Sequence, residues 1–293
     1  MNIAFVTMVY NEPVFLDIWV RYYARFVDRS QLIIVKHGED QDYVDDIAKG
    51  CRIETCPRDA RNPNLDRHRF DWMSAFCSEK LGEFDRVVFN DVDEVIVLDP
   101  NIGDSPVSYL AAIPPSVEVV TPFGLEVVHQ VLLENDFDFG RGLFQQRRFV
   151  RASGLYSKPC ITNTPIIWGP DGHGCSHDKL YLDENLYLFH LKWFDDAYQY
   201  ERFQERINMR FKNHRGTWVA PGAGTWHWDE QAYRRAVNAM MAAGIDPHGE
   251  EFDWSRLRTH LRESFRGGNG RYRLAGFTDK VIRRLPDRFI PLL

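Results

Sequence analysis

Arg86-Val87-Val88-Phe89-Asn90-Asp91-Val92-Asp93-Glu94 sets three acids directly behind an apolar run. A short apolar run bounded by polar residues reads as a buried strand of a sheet covered on both faces. In open α/β sheets, ligands gather beyond the carboxyl ends of the strands, and the acids follow such an end. In extended chain Asp91 and Asp93 project to the same side, so the pair suits one hard divalent cation or its water shell. Three acids crowded at a buried strand end repel one another unless a cation or hydrogen-bond donors compensate. A solvated acidic turn is the alternative.

The pattern recurs upstream. Residues 3–9 form an apolar run that leaves into Tyr10-Asn11-Glu12-Pro13. Pro13 suits a first helical turn, Asn11 or Glu12 can cap it, and Phe15, Trp19, Tyr22, Tyr23 and Phe26 recur at helical spacing. Strands are expected over 32–35 and 51–55, and a helix over 66–81 carrying Phe70, Met73, Phe76 and Cys77 on one stripe. Downstream, 117–121 and 186–191 read as strands separated by a loop-rich stretch, and helices are expected beyond Asp195. Strands alternating with helices predict an α/β fold with a mostly parallel central sheet flanked by helices. The expected division is 1–194 for that domain and 195–293 for a helical C-terminal extension packed on it.

Further candidates for chemistry follow. In Leu186-Tyr187-Leu188-Phe189-His190-Leu191-Lys192, period-two alternation puts His190 and Lys192 on one face and the apolar residues on the other. An imidazole beside an ammonium suits metal ligation with diphosphate neutralisation; a core histidine bonded to backbone is the competing reading. Gly172-His173-Gly174-Cys175-Ser176-His177-Asp178 invites a zinc reading whose spacing fits no standard structural site. A flexible active-site loop with Asp178 as general base fits better. Arg61, Arg67, His68, Arg69 and Lys158 can hold a phosphate or remain ordinary surface cations.

Composition narrows the classes. With 293 residues, 44% hydrophobic and 27% charged, the chain is long and apolar enough to fold around a sizeable core. A formal charge of −6 argues against a nucleic-acid binder that works by phosphate neutralisation. Aromatic residues make up 14%; most are expected in the core, and any that are not suit a pocket for sugars, bases or other flat ligands. Five scattered cysteines without a C-x-x-C pair read as reduced thiols, and no window approaches a membrane span, so a cytoplasmic location is expected. From Arg256 onward ten Lys or Arg stand against three acids, a basic tail suited to peripheral contact with an anionic membrane or simply to solvent.

The segments Val6-Thr7-Met8-Val9-Tyr10-Asn11-Glu12, Phe84 through Ile96, Lys158-Pro159 and Leu188-Phe189-His190-Leu191-Lys192 resemble, in order, the bacterial family-2-like and family-92-like glycosyltransferases. That resemblance covers about the first 200 residues. It implies a GT-A fold, a nucleotide-sugar donor with UDP-sugar favoured, Mn²⁺ or Mg²⁺, and a saccharide or glycolipid acceptor. By position, Asp91 and Asp93 match the metal-holding Asp-x-Asp pair, His190 the late histidine of the metal shell, and Asn11 and Glu12 residues beside the nucleotide. Arg67, Lys158 and Lys192 would contact the donor, while Glu126 and Asp178 compete for the catalytic base. Inversion, needing a single base, is the expected outcome. Asp-x-Asp after a buried strand also occurs in phosphatases of the haloacid dehalogenase type, and a carbohydrate- or nucleotide-binding module without turnover is a third reading.

Overall fold

The computed structural model describes residues 1–213, 215–220, 228–246, 252–268, 270–274 and 276–293. The N-terminal half alternates β1 (Ile3–Val9), α1 (Pro13–Tyr23), β2 (Leu32–His37), α2 (Tyr43–Ile47), β3 (Arg52–Cys56), α3 (Leu65–Lys80) and β4 (Arg86–Phe89). Next come β5 (Glu94–Leu98), α4 (Pro106–Ala112), β6 (Val119–Val128), α5 (Leu143–Gln146), β7 (Phe149–Ala152), β8 (Ile161–Thr162) and β9 (Tyr181–Trp193). Beyond these lie α6 (Asp196–Asn208), β10 (Phe211–Lys212), β11 (Trp218–Val219), α7 (Glu230–Met241), β12 (Gly244–Ile245), α8 (Ser255–Glu263), β13 (Arg266–Gly268), β14 (Arg271–Arg273) and β15 (Val281–Arg284).

The expected α/β architecture is present. Strands β3, β2, β1 and β4 run side by side and parallel, and the sheet continues through β8, β6, β7, β15 and β12, with β9 joining β6 to β5. Alternation along β1 shows why both faces are covered. Ile3, Phe5 and Val9 pack with Phe15, Trp19 and Tyr23 of α1, whereas Ala4, Val6 and Met8 pack with Phe70, Met73 and Cys77 of α3.

Two pairing registers assemble the site. Strand β8 runs antiparallel to β4 with Val88 opposite Ile161, so continuing past the strand ends carries Asp91 towards Lys158. Strand β9 runs antiparallel to β5 with Glu94 opposite His190. Gly124 on β6 lets the turn before Lys158 come close: a Cβ there would lie 2.4 Å from the Ser153 carbonyl oxygen. Its N–H donates instead to Ser157 Oγ at 2.9 Å, and the Ser153 N–H donates to its carbonyl at 3.0 Å.

The sequence predicts only helices beyond residue 195. Helices α6, α7 and α8 do form, but β15 pairs antiparallel with β7 and carries β12 on its other side. Its apolar content is only Val281-Ile282 beside two arginines, too short a run to announce a strand. The basic tail is partly used internally. Arg258 lies over the rings of Phe123 and Tyr187, Arg283 over Trp254, and Arg288 binds Asp99 at 2.8 and 2.9 Å. Among the described residues no helix is long and apolar enough to cross a membrane.

Candidate functional site

A cavity of about 260 Å³ opens at the carboxyl ends of the parallel strands, the position such sheets favour for ligands. Tyr10 and Glu12 follow β1, His37 ends β2, Arg58 follows β3, and Asp91 and Asp93 follow β4. Helix α3 adds Asp66 and Arg69, β9 adds His190 and Lys192, and α6 adds Arg202 and Arg206. Among the described residues the walls carry six acids (Glu12, Asp66, Asp91, Asp93, Glu94, Asp171) facing six cations (Arg58, Arg69, Lys158, Lys192, Arg202, Arg206).

The acidic block is a tight turn between β4 and β5, not the extended chain expected. The Glu94 N–H donates to the Asp91 carbonyl at 3.0 Å, and the buried Asn90 amide donates to the carbonyls of Asp91, at 3.1 Å, and Glu94. The compensation three crowded carboxylates require comes from the protein's own cations. Lys158 Nζ lies 2.8 Å from Asp91 Oδ2 and 2.6 Å from Glu94 Oε1. Arg69 donates to Asp91 Oδ1 at 3.1 Å and reaches Asp66 at 3.2 Å. His190 Nε2 stands 3.3 Å from Asp93 Oδ2.

These contacts separate the carboxylates electrostatically. Burial works against ionisation of Asp91, but Lys158 and Arg69 outweigh it and lower its pKa. Asp93, largely enclosed, is held well below the ordinary carboxylate range by His190 and Lys158, which outweigh desolvation. Glu94 goes the other way: burial, helped by the Asp91 charge and only partly opposed by Lys158, pushes it up to about 7. Burial and nearby Arg206 bring Lys192 down to about 7. His173, half-buried and near Lys158, is lowered to about 4 by desolvation and that charge; its Nδ1 lies 2.6 Å from the Leu155 carbonyl, to which it must donate, leaving Nε2 as the acceptor nitrogen.

The structure gathers Glu12, Asp91, Asp93, Lys158, His190 and Lys192 around one cavity. The others stand elsewhere. Arg67 is exposed; Arg69, two residues on, faces the cavity. Asp178 is exposed and outside the cavity lining. Asn11, in the left-handed region at φ 52°, also lies outside it, with its amide donating to Glu205 at 3.0 Å. Glu126 is buried behind His190, its Oε1 3.7 Å from Nδ1 and its Oε2 held by Arg151 at 2.7 Å. Tyr156 stacks on the His190 ring at 3.8 Å between centroids. The His-x-Cys-x-His segment is no zinc site: His173 turns to Leu155, His177 binds Glu118 at 2.8 Å, and Cys175 is buried.

Glu126 therefore positions the imidazole. Burial disfavours the charged form of His190, yet Asp93 and then Glu126 prevail and raise its pKa. In Glu126→Gln the His190 pKa is expected to fall, followed by NMR titration of the imidazole carbons. An unchanged value would exclude this electrostatic link.

Among the described residues no three His, Cys, Asp or Glu side chains converge as a ready metal centre. The donor chemistry nevertheless fits a hard divalent ion. Asp91 and Asp93 are ionised and line the cavity, and Mg²⁺ is ordinarily held by one or two carboxylates with substrate phosphates supplying the rest. Both Asp91 oxygens are engaged, one by Arg69 and one by Lys158, so a metal-ligand role and a nucleophilic role alike require one of these cations to turn aside.

No protein-family model matches the chain, and no curated protein does. Solved structures similar to parts of it include a mannose-1-phosphate geranyltransferase from Thermus thermophilus, at 12% identity and a TM-score of 0.31, covering 54% of this chain and 51% of that one. Another is glucosyl-3-phosphoglycerate synthase from Mycobacterium tuberculosis in complex with Mn²⁺, UDP and glucosyl-3-phosphoglycerate, at 18% identity, TM-score 0.26, covering 42% and 44%. A third is core-mannan synthase A from Aspergillus fumigatus in an Mn/GDP form, at 12%, 0.28, and 42% of each chain. The chain spans about half the length of these structures. Scores this low decide neither fold family nor activity.

Proposed function

We propose that the chain is a metal-dependent glycosyltransferase of the GT-A type, similar to the family-2-like and family-92-like enzymes. It moves a sugar from a nucleotide-sugar donor, UDP-sugar favoured, to a hydroxyl of a saccharide or glycolipid, with inversion, in the cytoplasm. In this reading residues 1–194 carry the donor site and 195–293 complete its wall through Arg202 and Arg206. The observation that carries it is the cavity beyond the parallel strands, where ionised Asp91 and Asp93 are two of six acids facing six cations among the described residues. Balanced walls leave an incoming diphosphate uncompensated, and a divalent ion arriving with it restores the balance.

Asp91 and Asp93 would hold Mn²⁺ or Mg²⁺, with His190 as a third donor once the ion has displaced the proton that Asp93 and Glu126 favour on it; bound there, the ion would supply positive charge against the leaving diphosphate. Lys158 and Arg69 flank the same acids and, with Lys192, stabilise charge where the sugar–phosphate bond breaks. Tyr10, with the Arg58 guanidinium 3.6 Å from its ring centroid, offers a flat wall for the base. Glu12 orients α6 by binding Arg202 at 2.9 Å. His173 receives the proton of the acceptor hydroxyl at Nε2, in place of Asp178 and Glu126, which stand outside the cavity.

Thermal unfolding with UDP, GDP and CDP, each with Mn²⁺ or with EDTA, tests this reading. A nucleotide at roughly a hundred times its dissociation constant should add about 2.7 kcal/mol of stability. One nucleotide is expected to stabilise the protein in Mn²⁺ and not in EDTA. No response to any of them would overturn the proposal.

A further inference from the structure

A second cavity, of about 390 Å³, adjoins the first and shares Asp171 and His173 with it. Its far wall is the β13–β14 hairpin, which presents Arg266, Arg271 and Arg273. The hairpin is fixed to the segment beside the first cavity. Cys175 N–H donates to the Tyr272 carbonyl at 2.9 Å, and Tyr272 N–H returns a bond to Cys175 at 2.8 Å. Gly174 permits that approach, since a Cβ there would lie 2.8 Å from the Tyr272 carbonyl oxygen.

Arg266 and Arg273 are directly opposed across the hairpin. Like charges at opposed positions destabilise a strand pair, and among the described residues none of the three arginines has an acidic partner within ion-pair distance. Asp171, His173 and Tyr272 are the other titratable groups lining this cavity, and burial and Lys158 keep His173 neutral at pH 7. Three guanidinium groups against one carboxylate leave a surplus of positive charge, in a geometry that receives phosphate oxygens two at a time. The first cavity alone is smaller than the roughly 300–1,000 Å³ usual for a ligand site, and the second provides the remaining room.

We infer that this second cavity binds the phosphate group of a phosphate-monoester acceptor, whose hydroxyl then reaches His173 on the shared wall. The role as acceptor site rests on the transferase reading; the binding of a phosphate monoester does not.

The test is titration of the full chain with glycerol 1-phosphate, inorganic phosphate and glycerol, at constant ionic strength and saturating nucleoside diphosphate, followed by thermal unfolding. Glycerol 1-phosphate is expected to stabilise the protein and glycerol to leave it unchanged. The R266A/R273A double variant should bind the monoester about tenfold or more weakly, the worth of one hydrogen bond to a charged group. Both residues are exposed and mutually repulsive, so its unliganded midpoint should match or exceed that of the parent. Monoester affinity unchanged in the variant, or a response to inorganic phosphate alone, would overturn the inference. Loss of the nucleotide response in the double variant would also overturn it, by placing these arginines in the donor site. A parent chain that binds no nucleotide but shows arginine-dependent monoester binding would sink the transferase reading alone.

Discussion

Replacing Lys158 by methionine is expected to destabilise the fold by about 3–5 kcal/mol at pH 8, the usual cost of removing one partner from a buried ion pair. The lysine side chain is 7% exposed, and its ammonium lies between Asp91 and Glu94. Methionine keeps the packing and removes the charge. The pH dependence follows from Glu94, whose carboxyl is pushed by burial from its ordinary 4.5 to about 7 while Lys158 opposes the rise. Folding therefore takes up a proton between those values, and the stability associated with Glu94 falls as pH rises through that window. Without Lys158 the carboxyl rises further, so the deficit should shrink towards pH 5 and widen towards pH 8. Asp91 behaves oppositely: its lowered pKa contributes stability above the ordinary 3.8 that is lost as pH falls below it. Urea unfolding at pH 5 and pH 8 measures the Glu94 effect; the Asp91 contribution is the same at both and shows only in a further measurement below pH 3.8. A deficit below about 1 kcal/mol at pH 8, or one independent of pH, would show that Lys158 is not the charge that holds this turn together.

Much of this arrangement is legible in the sequence, for reasons that stop where tertiary contact begins. Apolar runs ending in acids or polar turns locate β1 and β4, and the pairing of β4 with its neighbours follows from burial of both faces. Alternation along β9 puts His190 and Lys192 on one face, because a strand's side chains change face at every residue, and both line the cavity. The rule does not reach the acidic block, because Asp93 belongs to the turn and remains 21% exposed, whereas Glu94 begins β5 at 1%. Choosing Arg67 over Arg69 is an error of helical phase. The buried stripe Phe70, Met73, Phe76 and Cys77 is visible in the sequence, and Arg69 beside Phe70, three residues after Asp66, lies at the edge of that stripe. No comparable signal marks Arg202, which reaches Glu12 across 190 residues, or Tyr156 stacked on His190. Those contacts depend on how α6 and the turn before β8 are laid against the sheet, which no local period encodes.

Turnover by Asp93→Asn, with the nucleotide sugar whose nucleotide stabilises the parent chain, is expected to fall by about 10²–10³-fold, the usual loss when one preorganised electrostatic contact is removed from a reacting centre. The amide preserves the shape of a side chain that is largely enclosed yet still reaches the cavity, so the fold should persist. What changes is charge. Asp93 is the group that most raises the His190 pKa against the effect of burial, and its removal leaves Glu126, at 3.7 Å, as the remaining carboxylate within ion-pair distance of that ring. The imidazole should then lose its proton at lower pH, while the carboxylate proposed to hold the divalent ion is gone. Stabilisation by nucleotide should accordingly become the same in Mn²⁺ and in EDTA. Glu126→Gln, which alters the imidazole from behind and removes no cavity carboxylate, should retain the Mn²⁺-dependent response. A variant Asp93→Asn with turnover within threefold of the parent and an intact Mn²⁺ response would remove Asp93 from the chemistry. A loss shared equally by Glu126→Gln would place the critical charge on His190 instead.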